Sequence, residues 1–540
     1  MLKTLLRHSY KTKQNTRLKD LSEASEALYK KKNPFVPYQL INDLIREIDI
    51  PLDSGMFWFV SKKIKGGISS ALKQLLLTTS PHLIQQSILH THEPSKPLSF
   101  YLPKVFLRAL KQKGVNVNFQ ESRIFFVKSV LGKYFESFKV LGALIRNRDN
   151  FSMEKSDNFC SIHGGPDGIL PQKGTNTFLN WLEGSERVQE NIYSSYRFVA
   201  NQTHTSNIQF DKSIHISPHT FPSLTLKNKM IFVLQSFCFL LISSVFFLGA
   251  RWQLAFLSKE ILYYFYFKNL TASQKAKCYI FFCHDLGFRP LWTYQAEKEE
   301  REVILAFYAS SYTLFTYNGV SLSKDLKLPY VQVASWSHYW VQSADFKDTL
   351  SELLEVTAKV EVVGAFPFTD RGVEVPILKK NEVLVFDVDP SDDYLEYTKH
   401  GYILPNFTNE VVLKFWKDLY QVAKSLNLCL VHKRKRSDPL EAGDYVDLLL
   451  TFQKDPSTYR IIPENINTYE LIKKNKNFLS VSLPFTSTGE LSALLGAKGI
   501  YYNPMETVQS EKTHAGEVSV ITKPDNLKEW LLRGTNERKR

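Results

Sequence analysis

From about residue 275 onward the chain alternates short apolar runs with amphipathic stretches of helical length, and no other feature restricts its fold so tightly. The runs are Cys278–Cys283, Val303–Tyr308, Tyr330–Val333, Val360–Val363, Val383–Phe386, Cys429–His432, Tyr459–Ile462, Phe478–Ser482 and Gly499–Tyr502. One intervening helix is expected from about Asn409 to Leu426. There Val412, Phe415, Leu419, Val422 and Leu426 fall on one stripe, with Thr408 in the N-cap position. Others are expected at Thr468–Lys474, Ser487–Leu495 and Pro524–Leu532. Strands that alternate with helices form βαβ units, and these build parallel sheets covered on both faces. Residues 375–540 supply five strands, enough for one Rossmann-like lobe, and 275–365 supply three or four, part of a second. The expected fold class is therefore α/β with two Rossmann-like lobes, at 271–370 and 371–540.

A length of 540 residues suggests roughly two to four domains. Hydrophobic residues at 44% and charged residues at 23% exclude a mainly disordered chain. Lys and Arg number 68 against 54 for Asp and Glu, so the net charge of +14 favours anionic partners without choosing among them. Five scattered cysteines, with no C-x-x-C pair and no zinc spacing, suit a reducing compartment. The first 20 residues lack the apolar core and small-residue cleavage site of a secretory signal. Residues 1–226 read as a mixed, mostly helical extension without a motif that carries chemistry. Their turn-rich segment His163-Gly-Gly-Pro-Asp-Gly168 suits a turn or an anion cradle.

Met230 to Ala250 holds 21 residues without a charge, bracketed by Lys227 and Lys229 on one side and Arg251 on the other. That length matches a bilayer core, softened by Gln235, Ser236, Ser243 and Ser244. The aromatic run Ile261–Leu270 with its flanking cations suits a membrane interface. Residues 227–270 are thus expected to form an apolar helical segment with one long apolar helix, membrane-associated or buried in the core, and membrane contact is the favoured reading.

In doubly wound sheets ligands bind beyond the carboxyl ends of the strands, which directs attention to the residues following each run. Thr486, Ser487 and Thr488 stand where a strand becomes a helix. They suit phosphate binding by free N–H groups at the positive end of the helix dipole, with Pro484 and Phe485 in the turn and Glu490 placed to accept from ribose hydroxyls. Ser487 with Glu490 equally suits a plain capping box. His432 precedes Lys433, Arg434, Lys435 and Arg436, a basic run that brings positive charge to a ligand phosphate or else forms a solvated patch. Asp387 and Asp389 suit a general base, ribose ligands, a pair holding a divalent ion, or the turn before Pro390. His284, Asp285 and His338 are lone general-base candidates. Arg289, Trp292, Asp389, Tyr502 and Asn503 follow or flank strand ends and are expected to line the cleft.

Phe478–Pro504 resembles the signature of the bacterial surface polysaccharide biosynthesis proteins named for their Pro-Phe-Thr-Ser motif. Three further segments agree in order: Arg289-Pro-Leu-Trp-Thr293, Phe386-Asp-Val-Asp-Pro390 and Lys433-Arg-Lys-Arg436. The resemblance covers residues 276–540. It departs at His432, where the family tends to be apolar, and at Gly489, where a helix former is usual and a glycine would let a ligand approach the backbone.

The resemblance implies a glycosyltransferase-like protein of GT-B arrangement in surface polysaccharide assembly, without carrying over a donor, an acceptor or a catalytic residue. Read with the apolar segment and the strand-end residues, the chain is expected to be a glycosyltransferase at the cytoplasmic face of the cell membrane. The donor would be a nucleotide sugar and the acceptor a glycan or a lipid-linked glycan. Phosphate would rest on Pro484–Glu490 and Lys433–Arg436, Asp285, His284 or Asp387 would serve as base, and no metal or other cofactor is called for. A sugar-nucleotide epimerase or polyol-phosphate transferase of the same fold, and a non-catalytic membrane scaffold, are the alternatives. Nucleic acid is not expected, because aromatic and basic residues do not interleave.

Overall fold

The computed structural model describes residues 19–28, 36–47, 50, 57, 59, 62–78, 81–149, 158–164, 177–184, 193–199, 206–209, 213–249, 251–283, 288–309, 315–321, 333–354, 357–367, 373–388, 390, 407–434, 443–484, 486–510 and 518–539. The N-terminal part is helical: α1 Val36–Glu47, α2 Lys62–Lys73, α3 Pro81–His92, α4 Lys104–Gln112 and the long α5 Phe119–Arg146. Asn118 starts α5 by accepting the Glu121 N–H at 3.1 Å while its amide donates back to the Glu121 carboxylate at 3.2 Å. A π turn, Gln74–Thr78, extends α2. Ser70 and Gln74 both donate to the Val333 carbonyl, at 2.8 and 2.9 Å, and so fasten these helices to the first sheet's far half.

That sheet begins earlier than the apolar runs suggest. Its strands are β1 Phe159–His163, β2 Ser195–Val199, β3 Ser206–Gln209, β4 Ser213–Ser217, β5 Cys278–Cys283, β6 Glu302–Phe307, β9 His338–Val341 and β10 Lys359–Val362; the hairpin β7 Phe315–Tyr317 and β8 Val320–Ser321 lies apart. The spatial order is β10-β9-β6-β5-β1-β2-β4-β3, parallel throughout except for the edge pair β3/β4. Helix α6, Thr177–Gly184, lies between β1 and β2; α7 Leu226–Leu248 and α8 Ser258–Lys268 lie between β4 and β5; α9 Leu291–Lys298 precedes β6 and α10 Ala344–Leu353 precedes β10.

The first lobe is therefore not confined to residues 271–370: four strands come from 159–217, inside the segment expected to be mostly helical. They are hard to see because Ser161, His163, Ser195, Arg197, His215 and Ser217 are polar yet buried. Their burial is made tolerable by one carboxylate, since Asp149 accepts from Arg197 Nη2 at 2.8 Å, His215 Nε2 at 2.7 Å and Ser217 Oγ at 2.7 Å. Although burial pushes the Asp149 carboxyl up, His215 and Arg197 bring it well below the usual carboxylate range.

The aromatic run of α8 is also not an interface belt. Tyr264, Phe265, Tyr266 and Phe267 are buried, with Phe267 stacked on Trp292 at 5.2 Å and Tyr266 on Phe221 at 5.5 Å. Helix α7 is long and apolar enough to cross a membrane, yet one side of it, through Phe232, Phe239 and Leu240, packs into the core.

The second sheet comprises β11 Glu382–Phe386, β12 Cys429–Lys433, β13 Tyr459–Ile461, β14 Leu479–Ser482, β15 Lys498–Tyr502 and β17 Ser519–Ile521, in the order β13-β12-β11-β14-β15-β17, all parallel. Its helices are α11 Asn409–Ser425, α12 Asp444–Gln453, α13 Thr468–Lys474, α14 Ser487–Leu494 and α15 Pro524–Lys539. Alternate strand residues fill two cores: Val383, Val385 and Val481 pack with α11 and α15, and Leu384, Phe386 and Val431 pack with α13 and α14. The predicted stripe of α11 is buried at Val412, Phe415, Leu419 and Val422.

Counted in chain order and without the antiparallel edge β3, the second sheet runs 3-2-1-4-5-6, the doubly wound Rossmann order, and the first runs the same with a seventh strand, β10, added at its edge. A small third sheet joins the lobes: β16, Val508–Ser510, pairs antiparallel with β7. The β7–β8 turn is Asn318-Gly319 with φ of 46° and 81°, the left-handed pair that a tight two-residue hairpin requires.

Candidate functional site

Strand order reverses between β1 and β5 in the first lobe and between β11 and β14 in the second. Crevices open at such reversals beyond the carboxyl ends of the strands. In the second lobe Phe386 lies beside Ser482, so Asp387 and the Leu483–Thr486 turn leave the sheet side by side. Strand β12 flanks β11 on its other side, which puts Lys433 and the hydroxyl-bearing turn on one edge, about 10 Å apart at two strand spacings.

Thr486 is the N-cap of α14, but its hydroxyl donates to the Leu483 carbonyl at 2.7 Å and does not cap the helix. The capping box is thus not formed, and the first-turn N–H groups keep their positive end toward the crevice. Tyr501 Oη donates to the Thr486 carbonyl at 2.6 Å and fixes the turn. The same ring explains Gly489: a Cβ there would stand 2.6 Å from Tyr501 Cε1 and Cζ, so the glycine makes room for tyrosine and not for a ligand. Thr488 Oγ1 is buried without a hydrogen-bond partner among the described residues.

Glu490 reaches away from its own helix. Its carboxylate accepts from Ser343 Oγ at 2.8 Å, and Ser343 is the N-cap of α10, just beyond β9 of the first sheet. The carboxyl edges of the two sheets therefore meet at this bond. Burial pushes the Glu490 carboxyl up, the Ser343 donor works against that, and Asp345 nearby adds to the rise.

Asp387 is turned into the lobe. Its Oδ2 accepts from Trp416 Nε1 at 2.8 Å and from Tyr445 Oη, and its Oδ1 pairs with His432 Nε2 at 2.9 Å, while His432 Nδ1 meets Tyr459 Oη at 2.7 Å. Burial alone would raise this carboxyl, but the His432 charge and the three donors hold it below its ordinary value. A carboxylate so fully engaged ties β11 to β12, α11 and α12 and is not a base facing a substrate. His432, unexpected at the head of the basic run, is explained by the same network.

Lys433 Nζ donates to the carbonyls of Arg434 and Glu464, each at 2.9 Å, and Arg434 Nη1 pairs with the Glu464 carboxylate. The start of the basic run is folded onto the segment after β13. Pro484 lies in the turn, while Phe485, Lys435, Arg436 and Asp389 lie outside the described residues, as do His284 and Asp285.

Of the five residues expected to line the cleft, Asp389 is outside the described residues and the other four are core. Arg289 donates to Thr293 Oγ1 at 3.0 Å and to the Ser335 carbonyl, pairs with Glu297 at 2.6 Å, and lies 3.9 Å over the Tyr294 ring. Trp292 is enclosed by Phe221, Phe267 and Tyr279. Tyr502 Oη donates to Asp418 at 2.7 Å, and Asn503 donates to the Val508 carbonyl at 3.1 Å, which holds the joining strand β16. His338 begins β9 at the amino edge, between Glu302 and Glu361 at 3.1 Å each, on the side away from the crevice.

Two features escaped sequence reasoning. Ser343 had a readable signal, a Ser-Ala-Asp start to an amphipathic helix. His163-Gly164, which ends β1 at the first lobe's reversal beside β5, was visible as a turn or an anion cradle but not as the end of a strand. Gly164 has φ of 70°, and buried His163 stacks on Phe281 at 4.6 Å, its imidazole pushed down to about 3 by burial and Arg197. Among the described residues no group of three or more His, Cys, Asp or Glu side chains gathers as a metal cage.

The family model described as polysaccharide biosynthesis PFTS motif protein matches residues 237–531. No curated protein matches the chain. Similar solved structures include the pneumococcal O-GlcNAc transferase GtfA in complex with UDP and GlcNAc, at TM-score 0.30 and 9% identity, covering 52% of this chain and 54% of that one. This chain thus spans about half the length of the pneumococcal protein. Others are a Polygonum tinctorium UDP-glucosyltransferase in complex with 3,4-dichloroaniline (TM-score 0.31, 9% identity, 64% and 79% covered) and Phytolacca americana UGT2 complexed with UDP-2fluoro-glucose and pterostilbene (0.30, 9%, 70% and 84%).

Proposed function

The chain belongs to the polysaccharide biosynthesis PFTS motif family, and from that premise we propose that it is a glycosyltransferase using a nucleotide-activated sugar. The observation that carries the proposal is the Ser343–Glu490 bond, where two sheets of the same doubly wound order bring their carboxyl edges together beside an uncapped helix N-terminus. In this reading the donor diphosphate lies against the first-turn N–H groups of α14, with Ser487 and Thr488 supplying hydroxyl donors. Glu490 takes the ribose hydroxyls, exchanging its bond from Ser343 for theirs. The acceptor, a glycan or a lipid-linked glycan, enters from the first lobe, and a base at the β5 end, His284 or Asp285, accepts its hydroxyl proton. The new C–O bond forms at the anomeric carbon as the bond to the phosphate oxygen breaks and the nucleoside diphosphate leaves with the electron pair. Preorganised N–H donors lower the cost of that leaving charge.

The test is nucleotide binding by calorimetry across uridine, guanosine and thymidine diphosphates. Ser487→Ala with Thr488→Val should weaken the preferred nucleotide at least about tenfold, two hydrogen bonds to an anion being worth that much or more, without lowering the melting temperature. Equal affinity in the variant, or no affinity for any nucleotide in the native chain, would overturn the assignment.

A further inference from the structure

Helix α7 carries a second surface that the transfer reaction does not use. Met230, Leu234, Phe237, Leu241, Val245 and Leu248 recur at three- and four-residue steps along it, and each is at least 58% exposed. From Met230 to Leu248 this stripe runs about 27 Å at 1.5 Å per residue. The polar residues that soften the segment in sequence do not break it. Ser243 donates to the Leu240 carbonyl and Ser244 bonds Tyr134, while Gln235 accepts from Asn269. The apolar surface continues onto α5, where Tyr134 holds the Leu240 carbonyl at 2.9 Å and touches Phe135 and Phe138, both exposed.

We propose that this two-helix face docks on an anionic membrane surface, with α7 lying in the plane of the headgroups. Charge supports that occupant. Lys227, Lys229 and Arg251 bracket the stripe, and α7 has no carboxylate. Arg123, Lys128, Lys133, Lys139 and Arg146 stand on α5 against Glu121 and Glu136, and Glu136 is paired with Lys259 at 2.9 Å. An apolar stripe edged by cations is what an interfacial helix needs. Packing decides against a span. The face opposite the stripe is buried against the body along its length, at Phe232, Ser236, Phe239, Leu240 and Ser243, and the Asn228 amide is bonded to the Asn269 carbonyl at 2.8 Å. Crossing the bilayer would drag the charged residues of α5 into hydrocarbon.

Flotation with phosphatidylglycerol and with phosphatidylcholine vesicles tests the proposal, and it stands apart from the transfer reading because nucleotide affinity is measured on the same samples. The full chain should float with the anionic vesicles and weaken as salt rises. Leu234→Glu with Leu241→Glu should cut vesicle affinity at least about thirtyfold, since two exposed leucines that would enter the lipid are replaced by charges, while nucleotide affinity stays as in the native chain. In a Cys238→Ser background, Leu226→Cys and Leu248→Cys should both react with an impermeant maleimide from the same side of sealed vesicles. Undiminished flotation of the double glutamate variant, no flotation of the native chain, or labelling of the two ends from opposite sides would each overturn the proposal. So would a native dimer that the glutamates convert to monomer without any vesicle binding, because a second copy would then be the occupant.

Discussion

Removing the Asp387 carboxylate separates a structural pin from a catalytic base. In Asp387→Ala three buried groups lose their acceptor: Trp416 Nε1–H, Tyr445 O–H and His432 Nε2. At ~1–3 kcal/mol for each stranded group, the cost is about 5 kcal/mol, reduced if water enters the gap. Asp387→Asn should cost far less, about 1–2 kcal/mol. Its carbonyl oxygen can keep Trp416 and Tyr445, and its amide can donate to His432 Nε2 once the imidazole carries its proton on Nδ1, facing Tyr459 Oη. The carboxyl is held below its ordinary value in the fold. Its contribution is therefore present above about pH 4 and lost as acid titrates the folded state, so Asp387→Asn should flatten the acid limb of stability. Hydrogen exchange at the β11 and β12 amides reads the local cost, alongside nucleotide affinity and sugar transfer. An alanine variant within about 1 kcal/mol of the native chain would refute the network. An asparagine variant of native stability that loses transfer a hundredfold or more would make Asp387 a chemical group after all.

Two further outcomes follow from packing and burial. Gly489→Ala should lower stability by roughly 2–3 kcal/mol, although alanine is the better helix former, because its Cβ would stand 2.6 Å from the buried Tyr501 ring; adding Tyr501→Leu should recover much of the loss, and a stabilised single variant would show that the ring yields. Burial pushes the Glu260 carboxyl up to about 7 where it accepts the Leu291 N–H. A raised carboxyl lets the fold bind the extra proton, so its stabilising share is complete below about pH 4.5 and declines as pH rises through 7; Glu260→Gln should match the native chain at pH 4.5 and exceed it by up to about 3 kcal/mol at pH 8 in denaturant titrations, and a pH-independent difference would refute the shift.

The second lobe was legible almost strand by strand, because parallel strands buried on both faces must be apolar throughout, and Val383–Phe386 or Phe478–Ser482 cannot be mistaken for turns. The start of the first sheet was not legible. Phe159–His163, Ser195–Val199 and Ser213–Ser217 alternate with serine, histidine and arginine, and only the fold shows that Asp149 satisfies several of these at once. The same blindness misplaced Asp387. A carboxylate at a strand end looks like a ligand-binding group, and nothing in sequence announces that Trp416 and Tyr445, 29 and 58 residues on, will close over it. Aromatic richness misled in the opposite direction at Ile261–Leu270, where rings stack on Trp292 and Phe221 inside the core. What could be read correctly without coordinates was the edge: the hydroxyl turn and Lys433 do leave the same end of one sheet.

The bond between the lobes gives the sharpest test of how Glu490 is used. Two neighbours act on its carboxyl with opposite sign: the Ser343 hydroxyl favours the ionised form, and Asp345, a like charge, disfavours it. Ser343→Ala should therefore raise an already elevated carboxyl further, and Asp345→Asn should lower it. If ionised Glu490 must accept from the ribose, nucleotide affinity falls as acid protonates it, and the pH at which affinity halves should move up in Ser343→Ala and down in Asp345→Asn. Loss of a merely structural bond would weaken affinity at every pH without moving that midpoint. Glu490→Gln supplies the reference, since an amide accepts through its carbonyl at all pH values and its binding should show no acid limb from this group. Midpoints that move together in the two variants, or that persist in Glu490→Gln, would mean that another group titrates and that the carboxylate serves only to hold the lobes together.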